Sequence, residues 1–253
     1  MDLKVLVCVK QTFDTEAKIE LKDGKISDAG INLIINPYDE HAVEGAIQLK
    51  EKKVVSEVVV LSAGADKSMD AIRTALAMGA DRGILVKQDI AADEYSRAVA
   101  LAAAIKEENP DLILAGHVAA DDGSSQVPTR IAEILGLPHV NVITSVEIAD
   151  GKATCSSEAD GGTQVTEVTL PAVISAQVSW NEPRYPSMKG IMQAKKKPVA
   201  TVDAVATEDK VKIVEFSLPP AKEAGIKLED DPDVCAAQLA DFIKNTAKAE
   251  IKA

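Results

Sequence analysis

The chain has 253 residues, 46% of them apolar, and a formal net charge of −12. This length and composition support one large domain, or one domain with an appendage. The acidic balance argues against nucleic acid or an anionic membrane surface as a partner, because phosphate backbones are bound through clustered positive charge. No apolar run approaches the roughly 20 residues that span a bilayer, and MDLKVLVCVK is too interrupted for a signal peptide. A cytoplasmic location without membrane insertion is expected. Cys8, Cys155 and Cys235 lack CxxC spacing, and His41, His117 and His139 lack ligand spacing. Reduced thiols are therefore expected, and neither a disulfide framework nor a metal site.

Residues 4–9 (KVLVCV) form a continuous apolar run of strand length, as in a sheet covered on both faces. The polar Lys10-Gln11-Thr12 follows at the strand's C-terminal end, the edge where open α/β sheets bind ligands. Asp23-Gly24 predicts a small hairpin, and residues 31–35 a further apolar segment. Asn36-Pro37 predicts a helix start with Asn as the cap and Asp39 and Glu40 in the dipole-favoured first turn, running to about Lys52. Residues 57–61 predict a buried strand that ends in a small-residue loop, Ser62-Ala63-Gly64. Then come a helix over 67–78 closing on Gly79, a strand over 83–86, and an alanine-rich helix over 94–108 stopped by Asn109-Pro110.

Residues 111–115 (DLILA) lead into GHVAADDGSSQVPTRIAEILGLP, residues 116–138. Here Ser124 or Ser125 is expected to cap a helix with Pro128 in its first turn, leaving amides that favour an anion beside Gly123. Neither GxGxxG nor the Walker lysine motif is present, so an ordinary strand-to-helix turn stands beside the phosphate-site reading. Alternating strands and helices to about residue 146 predict a doubly wound, mostly parallel, Rossmann-like sheet. Its ligand edge would gather the loops after Val9, Leu61 and Ala115.

Beyond Val146 the texture becomes a meander with turns at Asp150-Gly151 and Asp160-Gly161-Gly162, expected to extend the sheet with antiparallel strands. A proline-bounded loop follows from Asn181, then Ile191, Met192 and the cluster Lys195, Lys196, Lys197. Exposed apolar residues beside lysines in so acidic a chain suggest a docking loop over 181–197, against the alternative of a solvated charge run. From Ala200 the chain is polar and irregular, with a final amphipathic helix expected over about 234–247. The expected division is an α/β nucleotide-binding domain over 1–199 and an extended C-terminal arm over 200–253 that wraps on a partner.

The motifs VLVCVKQ, NPYDEHAVE, IRTALAMGADRG and DGGTQVTEVTLPAVISAQVSWNEPRYPSMKGIMQAKKK resemble those of electron-transfer flavoprotein beta subunits over nearly the whole chain. The resemblance implies a heterodimer with an alpha subunit that holds most of an FAD, while the beta subunit buries an AMP without redox role. Carried over by position, Cys8, Asn36 and Ala63 would lie by the nucleotide, and Asp122, Gly123, Ser124, Ser125, Gln126 and Val127 would span its phosphate loop. Tyr38 matches an aromatic that approaches the flavin. Pro186 to Met192 match the loop that recognises acyl-CoA dehydrogenases, with Met188 at its anchoring leucine position and the three lysines at its basic end. The chain departs from the pattern at Thr15, where a tyrosine is missing, at Ser157, where a basic residue is frequent, and in the serine pair of the phosphate loop.

The implied function is an electron carrier that takes electrons from dehydrogenases and passes them on, with no catalytic residue of its own. A second reading within the family replaces AMP by a second FAD, with electron bifurcation from NADH. A third, of another class, is a stand-alone adenine-nucleotide sensor, which leaves the docking loop and arm unexplained.

Overall fold

A computed structural model describes residues 3–27, 29–89, 92–221, 225, 227–228 and 231–246. The chain divides into two compact units, Met1–Phe216 and Ser217–Ala253.

The first unit is built on a nine-stranded sheet. Its first strand, β1 (Leu3–Cys8), alternates its burial between two cores. Val5, Val7 and Val9 join helices α1 (Pro37–Glu51) and α2 (Met69–Met78) on one face. Leu6 and Cys8 join helices α3 (Glu94–Glu108) and α4 (Val127–Leu135) on the other. A strand covered on both faces needs no polar alternate residues, which is why the run reads as unbroken Val, Leu and Cys. Short strands β2 (Gln11–Phe13) and β5 (Leu33–Ile35) pair outside the main sheet, as do β3 (Glu20–Lys22) and β4 (Lys25–Ser27) around the Asp23-Gly24 turn, both of positive φ.

The remaining strands are β6 (Val55–Gly64), β7 (Arg82–Lys87), β8 (Leu112–Gly116), β9 (His139–Ala149), β10 (Lys152–Ala159), β11 (Gly162–Thr169), β12 (Ala172–Ala176) and β13 (Val199–Asp203). They stand in the order β11-β10-β9-β12-β8-β1-β6-β7-β13. From β1 the chain winds outward through β6 and β7, then returns across the sheet to β8 on the opposite side of β1. The strand order therefore reverses between β1 and β8, and a crevice opens at the carboxyl ends of these strands.

Three expectations change. Ser62-Ala63-Gly64 does not form a loop: it continues β6, pairing with Leu85, Val86 and Lys87 of β7. β12 does not continue the antiparallel meander but inserts parallel between β8 and β9, with only β9, β10 and β11 forming antiparallel pairs in the main sheet. Its sequence AVISA, buried at every position, is that of a covered parallel strand. At the other edge β13 pairs in parallel with β7, so residues past 199 belong to the sheet, and the first unit extends to Phe216.

In the second unit, helix α6 (Pro232–Asp241) starts at Asp231, whose side chain accepts the Asp233 N–H, with Pro232 in the first turn. It starts two residues before the expected Val234 and passes into a π turn over Phe242–Thr246; Ala247, the expected end, lies outside the described residues.

Leu6, fully buried beneath α3 and α4, measures the packing of this core. Leu6→Ala is expected to destabilise the protein by about 3 kcal/mol through lost burial and a residual cavity, seen as a lower denaturation midpoint with unchanged slope.

Candidate functional site

A crevice half open to solvent lies between β1 and β8. Its apolar side is built from Cys8, Val9, Ala63, Leu101 and Ala115, and its polar side from Asn36, Asp39, Arg97, His117 and the loop running to α4. Of the residues singled out in the sequence, Cys8, Asn36, Ala63, Asp122, Ser124, Ser125, Gln126 and Val127 all line it. Gly123 sits within the same loop. Tyr38 meets the crevice through His117, whose ring it contacts edge-on at 4.8 Å between centroids.

The start of α1 holds the crevice in shape. Asn36 occupies the cap position but makes no side-chain capping bond. Its amide instead donates to the Val118 carbonyl at 2.9 Å and accepts the Ala120 N–H at 3.1 Å, while its backbone N–H donates to the Lys10 carbonyl at 2.8 Å. Asp39, one turn on, accepts the Lys10 N–H at 2.7 Å and the Gly116 N–H at 2.9 Å. The two side chains thus tie the loop after β1 to the loop after β8. Gly116 allows this approach, because a Cβ there would lie 2.5 Å from Asp39 Oδ1 and 2.6 Å from Tyr38 Cβ.

The loop before α4 is internally bonded. Lys10 Nζ donates to Asp121 at 2.6 Å and Asp122 at 2.7 Å. Asp122 accepts the Ser124 N–H, and the Gly123 N–H donates to the Ala119 carbonyl. Gly123 adopts φ +63°, and a Cβ at this position would meet no protein atom within 4 Å, so what calls for glycine within the chain is the backbone conformation. The helix cap is Gln126, not Ser124 or Ser125, and its side chain turns to the Arg130 guanidinium at 2.6 and 3.0 Å. First-turn amides of a helix have no partner within the helix, and here they open beside Gln126 and Val127 at the crevice wall.

Burial dominates the charge state of the crevice floor. It pushes the Asp39 carboxyl up to about 7, against the Lys10 and Gly116 N–H groups, the Asn36 side chain and the Lys10 charge, all of which favour the anion. The same burial, with Asp39 nearby, raises the Cys8 thiol so far that it is a neutral wall. Burial opposes ionisation of Asp122 too, but the Lys10 ammonium and the Ser124 N–H outweigh it and hold this carboxyl below its ordinary value. The arrangement can hold a flat, uncharged ring against Cys8 and Ala63 while helix amides and Arg97 meet an anionic group. Lys10, Asp39 and Arg97 were not among the predicted site residues; Asp39 read only as a first-turn acid, and nothing local marks a long-range hydrogen bond.

The predicted docking segment contains helix α5 (Met188–Ala194), capped by Ser187, whose hydroxyl accepts the Gly190 N–H. Met188 is 78% and Met192 67% exposed, and Ile191 lies exposed between them. Lys195 and Lys196 are exposed as well. Lys197 is turned inward: its ammonium donates to the Leu76 and Ala80 carbonyls at the end of α2, so its charge serves a helix terminus and not the outer surface. Among the described residues, no cluster of three or more His, Cys, Asp or Glu is placed to hold a metal ion, and no helix is long and apolar enough to cross a membrane.

Comparison with known proteins places the chain in a family. Residues 23–207 match the electron transfer flavoprotein domain. The chain is 83% identical to the electron transfer flavoprotein subunit beta of Syntrophomonas wolfei, over the full length of both. It is 42% identical to that of Bacillus subtilis, covering 97% of this chain and 99% of the relative. It is 38% identical to that of Homo sapiens, covering 93% and 96%. The chain belongs to the electron transfer flavoprotein family, as the resemblance of its motifs to beta subunits implied.

The raised Asp39 carboxyl gives a signed pH dependence. Its folded value of about 7 lies above the ordinary carboxylate value of about 3.9, so its contribution to stability is complete below about pH 4 and is lost as pH rises through about 7. The stability of the native protein relative to Asp39→Asn is therefore expected to fall between about pH 4 and 7 and to level off above. Denaturation at a series of pH values measures this, and parallel curves would contradict it.

Proposed function

We propose that this chain is the beta subunit of a heterodimeric electron-transfer flavoprotein, with an FAD held mainly by an alpha subunit and an AMP in the β1/β8 crevice. The observation that carries the reading is the crevice itself, an apolar slot at the strand-order reversal with the first-turn amides of α4 on its wall. This suits an adenine nucleotide: the base lies against Cys8 and Ala63, and the phosphate meets the helix terminus and Arg97. Asn36 and Asp39 join the two sides of the slot. The flavin, when bound, supplies the redox chemistry; this chain supplies placement and electrostatics, with Tyr38 on the flavin side and no nucleophile or general base.

The exposed tip at Met188, Ile191 and Met192 is the docking surface for an acyl-CoA dehydrogenase-like electron donor. Apolar side chains that enter a partner's pocket give short-lived but specific association, and methionine adapts to several pocket shapes. Lys195 and Lys196 steer acidic partners, an effect that salt screens. The chain after β13 serves as the arm that wraps on the alpha subunit, and the assembly works in the cytoplasm.

The deciding experiment is acid release and chromatography of nucleotides from the purified heterodimer. One FAD with one AMP per heterodimer is expected; two FAD without AMP would establish the bifurcating form. Gly123→Val, which forces a β-branched residue to positive φ, is expected to lower bound AMP because such strain costs about 1–3 kcal/mol; full AMP occupancy would remove the loop from the site. Met188→Ala is expected to slow electron exchange with the donor about fivefold at limiting donor concentration while FAD content stays intact. Unchanged kinetics would remove the docking role.

A further inference from the structure

Helix α5 has seven residues, too few to persist without tertiary support. Its C-terminal end is anchored on α2, where Arg73 Nη1 donates to the Ala194 and Lys197 carbonyls at 2.6 and 2.9 Å. Gly190 lies directly against the Ala77 carbonyl, a contact that leaves no room for a Cβ.

The N-terminal side is anchored on α1. Trp180 lies over Gly45, where any side chain would occupy the space of the indole. Asn181 exchanges hydrogen bonds with His41, its amide donating to the His41 carbonyl at 2.9 Å. The last anchor before the exposed tip is Arg184. Its guanidinium donates to Glu44 at 2.8 and 3.0 Å and to Glu51 at 2.7 and 3.1 Å. Its backbone N–H donates to Glu44 as well, at 3.2 Å. Glu44 and Glu51 stand two turns apart on one face of α1, so one planar fork meets two carboxylates fixed on a rigid element. Glu44 is only 3% exposed, which fixes where Arg184 must sit. The next residue, Tyr185, is 96% exposed.

We infer that Arg184, with Glu44 and Glu51, is a positioning residue for docking: it sets the place and direction from which Tyr185 and Met188 project toward the electron donor. A pre-set tip binds without first ordering a loop, so the clasp acts on association and not on electron transfer once the complex has formed. The inference rests on the docking role given to Met188.

The test uses the heterodimer and compares native protein with Arg184→Gln, Arg184→Lys, Glu51→Gln and Met188→Ala. KM and kcat are measured with an acyl-CoA dehydrogenase as donor, and flavin reduction by dithionite, which needs no docking, is measured beside them. Arg184→Gln is expected to raise the KM for the donor roughly tenfold, with kcat and the dithionite rate within about twofold of native. Arg184→Lys, which can pair with one carboxylate, and Glu51→Gln, which leaves the Glu44 half of the clasp, should fall between the two. The inference is overturned if Met188→Ala raises KM while none of the clasp variants does, or if Arg184→Gln and Glu51→Gln lower kcat and the dithionite rate along with affinity, as general damage would. If Met188→Ala leaves KM unchanged, the docking role itself fails, and the clasp loses its purpose with it.

Discussion

The crevice exists because two adjacent parallel strands send their chains to opposite faces of the sheet. After β1 the chain turns toward α1, and after β8 it turns toward α4. Each departing loop carries backbone N–H and carbonyl groups that the sheet no longer pairs, and buried groups of this kind need partners. Asn36 and Asp39 provide them for both loops at once. The cost is a carboxyl group buried next to a thiol, where burial works against its charge. The structure accepts that cost because the same oxygens satisfy the N–H groups of Lys10 and Gly116, and an unpaired buried amide would cost about 1–3 kcal/mol each.

Most of the element order was legible in the sequence because it depends on local signals. Apolar runs of strand length marked β1, β6 and β8, Asn36-Pro37 marked the start of α1, and Asn109-Pro110 marked the end of α3. The residues that the motif resemblance assigns to the nucleotide, Cys8, Asn36, Ala63 and the loop from Asp122, line a single crevice. What was not legible depends on contacts between distant residues. AVISA at β12 has the same texture in a meander as in a parallel insertion, and only its neighbours decide. Ser62-Ala63-Gly64 looks like a loop by composition, yet β7 beside it supplies a pairing partner. The lysine cluster is uniform in sequence, but Lys197 alone lies over the free carbonyls at the end of α2.

The two ends of the segment around α5 show how a short helix with an exposed apolar face is kept in one conformation. Arg73 and Lys197 act in opposite senses across the α2–α5 contact: Arg73, on α2, serves carbonyls at the end of α5, and Lys197, after α5, serves carbonyls at the end of α2. Each helix is thus terminated by a cation from the neighbourhood of the other, which favours both macrodipoles. With Arg184 on the opposite side, the exposed methionines are carried on a frame that is fixed at both ends.

Helix α1 contributes to both the crevice and this frame, through Asn36 and Asp39 at its beginning and through Glu44 and Glu51 further along. An α-helix turns about 100° and rises about 1.5 Å per residue. The angle between these two sets of side chains is therefore a matter of residue count. A substitution on the outer face of α1 leaves that phase intact, whereas one residue inserted or removed between Asp39 and Glu44 would swing the carboxylates of Glu44 and Glu51 by more than a quarter of a turn relative to the crevice. The length of this stretch is constrained more tightly than most of its side chains.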